Sequence, residues 1–334
     1  MEGCPTVPQG SAFRRAVVFG ACGFLGRAVT RQLLASGAQV LGIDTRPWPG
    51  ALPDAMGTSY SHNAEGSTAL AQARDFLNQA ADVFPGPAGF FHLAGLADAG
   101  ACQRDPALAQ KLNVDLVAEA LSALSDVACA FVFPSTGIVY GDQLPRPARE
   151  DDPLLPLAEY ARGKIAAEGL VRTACATGRV RGAIARLSNL YGPDGGENTV
   201  LGRLLAQVRA GGPLQVWDES PVRDFLHVAD AAEGLIRLGL AANALERPEG
   251  AEEGRRALTA NLSTGLGTSV AALIDLCAEL FHTPRLPQER EPDPAARASS
   301  LVLDNSRLMA LTGWRPQLDL RQGLEHSFRN AHSA

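Results

Sequence analysis

The chain has 334 residues, of which 46% are hydrophobic and 20% are charged, so it is a globular protein with one large domain or two coupled domains. Its net charge of −6, with basic residues scattered along the chain, argues against partnership with nucleic acid or an anionic membrane. No run approaches the about 20 apolar residues that span a bilayer, and the N-terminal MEGCPTVPQGSAF lacks the apolar region of a signal peptide.

In chain order, the first unit is a strand, a glycine-rich turn, a helix and a second strand over residues 15–44. Strands that alternate with helices of about 12 or more residues indicate βαβ units and a parallel sheet. Apolar strands throughout are expected when helices cover both faces of the sheet. The sequence therefore predicts an α/β fold with a doubly wound, Rossmann parallel sheet. Further strands are predicted at 89–95, 128–135 and 181–188, and helices near 67–81, 106–125 and 158–177.

The regular alternation stops after residue 188, where the loop YGPDGGEN follows the last predicted sheet strand. The later segments predict a smaller C-terminal substrate lobe. They are a helix over 199–210, short strands over 213–227, an exposed polar segment over 243–256, and helices near 268–281 and 319–330. We expect residues 12–187 with 222–262 to form the domain of the parallel sheet, and residues 188–221 with 263–334 to form the smaller lobe.

Gly20, Gly23 and Gly26 form a G-x-x-G-x-x-G turn between the first strand and the first helix. Glycines there permit a tight turn and close approach of the backbone to a pyrophosphate, and the helix N-terminus supplies N–H donors. Asp44 ends the next strand, where a carboxylate would accept both hydroxyls of an adenosine ribose and repel a 2′-phosphate. This favours NAD over NADP, although the cation Arg46 follows closely. A solvated aspartate at a strand end is the alternative interpretation of Asp44.

The segment YARGK places Tyr160 four residues before Lys164, so both side chains lie on one face of a helix. A tyrosine with the ordinary pKa near 10 is a poor base at neutral pH, and we expect the buried ammonium of Lys164 to lower that pKa. Ser135 and Thr136 leave the end of an earlier strand, where their hydroxyls could bond a substrate oxygen. Together these groups predict a proton relay beside a nicotinamide.

The chain resembles the extended short-chain dehydrogenase/reductases, and within them the NAD-dependent epimerase/dehydratase family, from about residue 15 to residue 330. The motifs that carry this resemblance are GACGFLG, HLAG, PSTGIVYG, YARGK, RLSNLYGP and RDFLHVAD. The resemblance implies catalytic roles for Thr136, for Tyr160 as the base and for Lys164 as its partner. It implies NAD contacts by Gly20, Gly23, Phe24, Leu25, Gly26, Asp44, Arg46, Leu93, Ala94, Gly95, Tyr160 and Lys164. It also implies a homodimer through the helices near 106–125 and 158–177.

The same resemblance implies a nucleotide-sugar substrate. Asn189 falls on the family asparagine beside the sugar diphosphate, and Arg223 on its phosphate-binding arginine, a fork that suits a diphosphate. Arg290 and Asp293 match nucleotide contacts near the C-terminus, although Pro292 replaces the usual glycine. A local surface ion pair is the alternative interpretation of Arg223 and Asp224. The full implied substrate set is Ser135, Thr136, Asn189, Val200, Arg223, Arg290 and Asp293.

Two segments depart from the family pattern. SYSHNAEGS stands where members carry a stretch against adenine, and Gly137 and Ile138 stand where 4,6-dehydratases place Asp and Glu. His227 is expected to form buried hydrogen bonds and Asp230 to cap a helix. The six dispersed cysteines predict reduced thiols, no metal site and a cytoplasmic protein.

The leading hypothesis from sequence is an NAD-dependent nucleotide-sugar 4-epimerase that works through a transient 4-keto intermediate. A nucleotide 4-keto-sugar reductase would use the same relay once and release its cofactor. A dehydrogenase of a non-nucleotide sugar or sugar acid stays open if Arg223 is structural. A non-catalytic dinucleotide-binding regulator is disfavoured by the intact Thr136, Tyr160 and Lys164.

Overall fold

The structure, a computed structural model, describes residues 11–49, 59–62, 66–79, 86–193, 195–245, 256–290 and 299–330. The strands are β1 (Arg15–Phe19), β2 (Gln39–Asp44), β3 (Ser59–His62), β4 (Ala88–His92), β5 (Ala130–Thr136), β6 (Arg181–Leu187), β7 (Asn189–Tyr191), β8 (Val222–Arg223), β9 (Phe225–His227), β10 (Leu258–Leu262), β11 (Thr268–Ser269) and β12 (Ser300–Leu301). The α-helices are α1 (Phe24–Ala35), α2 (Gly66–Gln79), α3 (Ala99–Arg104), α4 (Pro106–Gln110), α5 (Leu116–Ala123), α6 (Glu159–Ala176), α7 (Val200–Arg209), α8 (Val228–Ala244), α9 (Val270–Phe281), α10 (Ser306–Thr312) and α11 (Leu320–Asn330). A π-helical turn (Lys111–Asp115) joins α4 to α5, and a 3₁₀ turn (Gly137–Tyr140) follows β5.

The main sheet has seven parallel strands in the order β10–β6–β5–β4–β1–β2–β3. Every residue of β1 and β4 is buried, as expected for strands covered by helices on both faces. This arrangement confirms the predicted doubly wound Rossmann sheet. Two of its strands, β3 and β10, were not predicted as members of the sheet.

Helices pack on both faces of this sheet. One apolar core places Val29 of α1 and Leu235 of α8 with Val132 of β5. The opposite core places Val117 of α5 and Val171 of α6 with strand residues of β1, β4 and β5. The two layers fix the first turns of α1 and α6 at the ends of the strands.

Helix α8 corrects one detail of the sequence interpretation. Its N-cap is His227, whose Nδ1 accepts a hydrogen bond from the backbone N–H of Ala229 at 3.2 Å. Asp230 lies inside the first turn, where Oδ2 accepts from the backbone N–H of Leu318 at 3.0 Å. The predicted cap at Asp230 is therefore wrong, because a nearby imidazole fills that role and the carboxylate anchors the C-terminal segment.

The C-terminal segments build a smaller lobe beyond the carboxyl ends of β5 and β6. It contains the strand pair β7–β9 and the three-stranded sheet β11–β8–β12. Its own apolar core includes Leu204 of α7, Phe225 of β9, Leu273 of α9 and Leu324 of α11. Strand β10 pairs with β6 and so lies in the main sheet. Most of the polar segment predicted over 243–256 lies outside the described residues.

Across the described ranges, no helix is both long enough and apolar enough to cross a bilayer. The same ranges hold no group of three or more His, Cys, Asp or Glu side chains arranged to bind a metal ion. Five cysteines of the described chain are buried and form no disulfide: Cys22, Cys102, Cys129, Cys175 and Cys277.

Candidate active site

A cavity of about 1680 Å³ opens at the carboxyl ends of the sheet strands. In an open α/β sheet, this edge is where ligands bind. The cavity brings together residues from turns that are far apart in sequence. Those predicted as site residues that line it are Gly20, Gly23, Phe24, Leu25, Gly26, Asp44, Arg46, Leu93, Ala94, Gly95, Ser135, Thr136, Tyr160, Lys164 and Asn189.

The glycine-rich turn has no room for side chains at two of its three glycines. A Cβ on Gly20, which has φ +94°, would lie 2.5 Å from the backbone nitrogen of Ala94, and a Cβ on Gly26 would lie 2.1 Å from the carbonyl oxygen of Gly20. Gly23 is the N-cap of α1, so the first turn of that helix faces the cavity with its N–H donors and positive dipole end. This cradle fits the pyrophosphate of a dinucleotide.

Asp44 accepts a hydrogen bond from the glycine-rich turn and also lines the cavity. Its Oδ2 accepts a hydrogen bond from the backbone N–H of Cys22 at 2.8 Å, and its Oδ1 accepts from the backbone N–H of Arg46 at 3.0 Å. The Asp44 side chain is only 6% exposed, whereas that of Arg46 is 66% exposed and lies 3.4 Å away through Nε. A carboxylate has about four acceptor positions, so Asp44 retains capacity for ribose hydroxyls. The solvated-aspartate interpretation is therefore wrong.

Lys164 lies under the cavity on helix α6. Its Nζ donates to the carbonyl oxygen of Pro134 at 2.9 Å, and it lies 4.6 Å from the ring centre of Phe133 and 5.8 Å from that of Tyr160. Burial lowers the pKa of this ammonium to about 8, while the negative charge of Glu168 acts in the opposite direction. The geometry gives the predicted pair: phenol and ammonium share one face of the helix.

The expected lowering of the pKa of Tyr160 by Lys164 is wrong for this structure. Burial of the phenol raises its pKa, and the thiol of Cys102 adds to the increase. Removing a phenolate from water outweighs the attraction of the ammonium, whose Nζ lies 5.8 Å from the centre of the Tyr160 ring. Tyr160 therefore needs further positive charge or hydrogen bonding in the occupied site before it can act as a base.

The two hydroxyls at the end of β5 differ in their surroundings. Successive side chains of a strand point to opposite faces. Ser135 is only 2% exposed, and its hydroxyl is one of the groups that lower the pKa of the buried carboxylate of Glu168. Thr136 is the last residue of the strand and is partly exposed in the cavity. We expect Thr136 to be the hydroxyl that meets a substrate oxygen.

Not all of the expected substrate residues reach the cavity. Asn189 lines it, but Val200 does not, although Thr199 and Leu201 beside it do. Arg223 is turned away, because its guanidinium donates to the carbonyl oxygen of Ser299 at 3.1 Å and to its hydroxyl at 2.7 Å.

Of the two expected substrate residues near the C-terminus, Arg290 lies in the described part of the chain and Asp293 does not. Arg290 is also absent from the cavity wall and is paired with Asp218 at 2.8 Å. Asp293 lies outside the described residues.

The alternative of a surface ion pair between Arg223 and Asp224 is wrong. Asp224 is fully buried, and its carboxylate accepts from the backbone N–H of Thr264 at 3.0 Å, from the hydroxyl of Thr264 at 2.7 Å and from the backbone N–H of Gly265 at 3.0 Å. Burial raises the pKa of Asp224 despite these bonds. Asp224 thus holds a turn of the second lobe, while the guanidinium of Arg223 is bound to Ser299.

Asn113 is a site residue that sequence reasoning missed. The π-helical turn points it at the loop after β4, where Oδ1 accepts from the backbone N–H of Leu96 at 2.8 Å and Nδ2 donates to the carbonyl oxygen of Leu96 at 3.0 Å. A Cβ on Gly95 would lie 2.7 Å from that Oδ1. Asn113 therefore fixes the Leu93–Gly95 wall of the cavity. A single asparagine in the apolar helical pattern KLNVDLVAEAL was the available signal.

The lysine count was a second missed signal. Of the 30 lysine and arginine residues of the chain, only Lys111 and Lys164 are lysines, and both line this one cavity. Arginine supplies a charge that is effectively permanent, whereas an ammonium can change its protonation state when it is buried. Of the two lysines, Lys164 is the buried one whose pKa is lowered.

The position directly after Thr136 is tightly packed, so a side chain there would have to displace its neighbours. A Cβ on Gly137 would lie 2.9 Å and 3.0 Å from the two methyl carbons of Leu303 and 3.2 Å from the carbonyl oxygen of Leu187. Ile138 lines the cavity but cannot titrate. The acidic pair expected of a 4,6-dehydratase at these two positions is therefore missing, and the first position is closed by packing.

Known proteins resemble this chain over most of its length. A family model described as "NAD dependent epimerase/dehydratase family" matches residues 16–251. A UDP-glucose 4-epimerase of Mycolicibacterium smegmatis is 28% identical over 326 residues, which are 95% of this chain and 99% of that protein. A dTDP-6-deoxy-L-talose 4-dehydrogenase (NAD(P)(+)) of Kitasatospora kifunensis is 28% identical over 332 residues, which are 96% of each chain. The crystal structure of a UDP-glucose 4-epimerase of Thermus thermophilus in complex with NAD has a TM-score of 0.74 at 25% identity and covers 96% of this chain and 99% of that one.

Proposed function

The chain belongs to the NAD-dependent epimerase/dehydratase family, and from this premise we propose that it is a nucleotide-sugar epimerase that inverts C4 through a transient 4-keto intermediate. The observation that carries the proposal is the meeting of Thr136, Tyr160 and Lys164 in one cavity with the glycine-rich turn and Asp44. The closed position at Gly137 separates this site from that of a dehydratase.

Each residue has a distinct task in the proposed reaction. Thr136 donates a hydrogen bond to the oxygen on C4 and orients it toward Tyr160. Tyr160 accepts the proton of that hydroxyl during oxidation and returns it during reduction. Lys164, charged at neutral pH because its pKa is about 8, stabilises the phenolate, and the positive charge of NAD⁺ would supply, when bound, the further stabilisation that the buried phenol needs. When bound, NAD⁺ supplies the hydride acceptor for this chemistry, and its proposed holders are the glycine-rich turn, Asp44 and the Leu93–Gly95 wall.

The reductase alternative has support of its own. A 4-dehydrogenase relative is as similar to this chain as the epimerase relative is, at 28% identity over nearly the whole length. Both reactions use the same three side chains, so the difference lies in whether the cofactor stays bound through turnover. The positions of Arg223 and Arg290 outside the cavity wall favour, as a third candidate, a dehydrogenase acting on a sugar or sugar acid without a nucleotide.

We further propose that residues 12–187 with 222–262 bind NAD and that residues 188–221 with 263–334 hold the substrate. A nucleotide sugar placed between these two parts would reach Thr136 from the side of Asn189, which lines the cavity on β7. A homodimer through the helices that pack beside α6 completes the proposal.

A substrate screen tests the assignment. Thermal shifts with UDP-, GDP-, dTDP- and CDP-sugars in the presence of NAD⁺ should single out one nucleotide, because a ligand that binds only the folded state stabilises it by mass action. Stabilisation by free sugars or sugar acids alone would instead support the non-nucleotide candidate.

The accepted sugar is then incubated with the protein in D₂O and followed by NMR. We expect the C4 epimer with its C6 hydroxyl intact and no added cofactor consumed. Net oxidation of the sugar, with one NAD⁺ reduced to NADH per 4-keto sugar formed, would replace the epimerase by the reductase running in reverse, and a 4-keto-6-deoxy product with deuterium at C5 would contradict both assignments.

A further inference from the structure

Helix α6 carries four chemically distinct side chains at intervals of four residues: Tyr160, Lys164, Glu168 and Arg172. This spacing keeps them along one side of the helix. The first two line the cavity, whereas Glu168 lies behind them and is completely buried. An isolated buried carboxylate would be costly, so its surroundings need an explanation.

Glu168 is held in a bidentate ion pair by a buried arginine from the next strand. Arg186 of β6 donates through Nε to Oε1 at 3.0 Å and through Nη2 to Oε2 at 2.8 Å, and Arg172 adds a bond to Oε2 at 2.6 Å. Burial alone would raise the pKa of Glu168, but the bonds and charge of Arg186 lower it below the ordinary value. The carboxylate is therefore ionised at neutral pH.

Within the described part of the chain, Glu168 lies one helical turn beyond Lys164 and is the ionised carboxylate that raises the pKa of its ammonium. The guanidinium groups of Arg186 and Arg172, which bind that carboxylate, act in the opposite direction. The other titratable groups that act on or face this ammonium are Tyr160 of α6, Cys102 of α3 and His92 of β4. Burial raises the pKa of Cys102 and of Tyr160, so both are neutral at pH 7. Burial lowers the pKa of His92 to about 4, so that imidazole is neutral as well.

We propose that Glu168, held by Arg186, is a positioning residue that keeps the buried Lys164 charged and fixed beside Tyr160. The proposal rests on the proposed catalytic role of Lys164. Through Arg186 the same charge also reaches Tyr140, whose hydroxyl accepts from Arg186 Nη1 at 2.8 Å. Glu168 thereby ties the catalytic helix to the sheet and sets the pH range in which the ammonium persists.

The direction of the effect follows from the charges. Burial lowers the pKa of Lys164 to about 8, and Glu168 opposes that decrease. Without the carboxylate the pKa of Lys164 falls further, and the ammonium is lost at a lower pH. A nearby opposite charge typically changes the pKa of an ammonium by about one unit or more.

The test titrates Lys164 directly, which is feasible because the chain contains only two lysines. Protein labelled with [ε-¹³C]lysine gives two resonances, and a Lys111→Arg variant assigns them. In Glu168→Gln we expect the Lys164 midpoint to fall by about one pH unit. Glu233→Gln is the matched control: it removes a carboxylate paired with Arg237 on the surface of α8 and should leave the midpoint unchanged.

A second variant guards against loss of folding, because Glu168→Gln leaves the charge of Arg186 unpaired. Replacing both partners, as in Glu168→Leu/Arg186→Met, removes that problem, since a buried ion pair can often be exchanged for apolar residues. The double variant removes an anion and a cation together, so its Lys164 midpoint should fall by less than that of Glu168→Gln. An unchanged midpoint in a folded variant would overturn the proposal and leave the ion pair with a purely structural role.

Turnover then separates this inference from the proposed function. The alkaline limb of the kcat–pH profile should move down with the Lys164 midpoint in the Glu168 variants. A shifted midpoint with no activity on any nucleotide sugar, in the variants and the wild type alike, would reject the epimerase assignment and uphold the role of Glu168. If the wild type is active and the Lys164 midpoint is the same with and without Glu168, the epimerase assignment stands and the proposed role of Glu168 is rejected.

Discussion

Leu303, on the segment after β12, packs against the backbone of Gly137 directly after strand β5. Its methyl carbons lie within 3.0 Å of the place where a Cβ of residue 137 would stand. Leu303 is itself fully buried, in a small core with Val139 and Tyr140. The second lobe thus closes, by apolar packing, a position that an acid would have to occupy in a dehydratase.

Gly137→Ala should destabilise the protein by about 1–3 kcal/mol, because the added methyl group overpacks a filled core. Gly169→Ala is the matched control: a Cβ at that position of α6 meets nothing within 4 Å, and alanine is the better helix former. Urea unfolding of both variants measures the difference. Equal stability of the two would mean that Leu303 yields easily and that the position is not closed.

Tyr160→Phe should bind NAD⁺ like the wild type and lose turnover by about 10²–10⁴-fold or more. The ring keeps its packing against Lys164, while the oxygen that carries the proton is gone. Steady-state kinetics and calorimetric titration with NAD⁺ provide the two readings. A near-normal rate would remove Tyr160 from the mechanism.

Asp44→Ala should weaken NAD⁺ binding by about 10–100-fold, as expected for a lost charged hydrogen bond, and narrow the difference from NADP⁺. Part of this loss comes from the turn itself, since the backbone N–H of Cys22 also loses its acceptor. Asp126→Ala, which removes an exposed carboxylate paired with Arg74, is the control. A wild type that prefers NADP⁺ in titrations would refute the interpretation of Asp44.

Activity should fall as pH rises through about 8, where the buried ammonium of Lys164 loses its proton. The Lys164 contribution to the free energy of unfolding should instead increase over the same pH range. The unfolded chain holds that proton up to the ordinary pKa of 10.5, so between about 8 and 10.5 the unfolded state binds more protons and the Lys164 contribution to stability rises with pH. Comparing kcat and urea unfolding of the wild type and Lys164→Met over this range separates deprotonation from unfolding. Parallel loss of activity and stability in the wild type alone would contradict the assignment.

The dimer prediction concerns the face formed by α4, α5 and α6. Leu108 of α4 is 42% exposed there, which is consistent with a covered surface in an assembly. Light scattering should give twice the monomer mass of 35.1 kDa. A monomer mass at every concentration would reject the homodimer.

Residue spacing along the sequence was enough to predict the fold class and the positions of several site residues. The glycines at intervals of three, the carboxylate at the end of the second strand and the four-residue spacing of Tyr160 and Lys164 are local patterns. The geometry of one turn or one helix face converts them directly into positions. The fold class followed for the same reason, because apolar strands that alternate with helices can be buried in few ways.

Only the tertiary structure decided features that depend on which distant segments pack together. Burial reversed the expected direction of the pKa of Tyr160, and Ser299 drew Arg223 away from the cavity wall. Leu303 filled the space beside Gly137, and Arg186 of β6 paired with Glu168 of α6. Desolvation and packing act over distances in space, and the order of residues along the chain does not specify those neighbours until the two lobes have folded together.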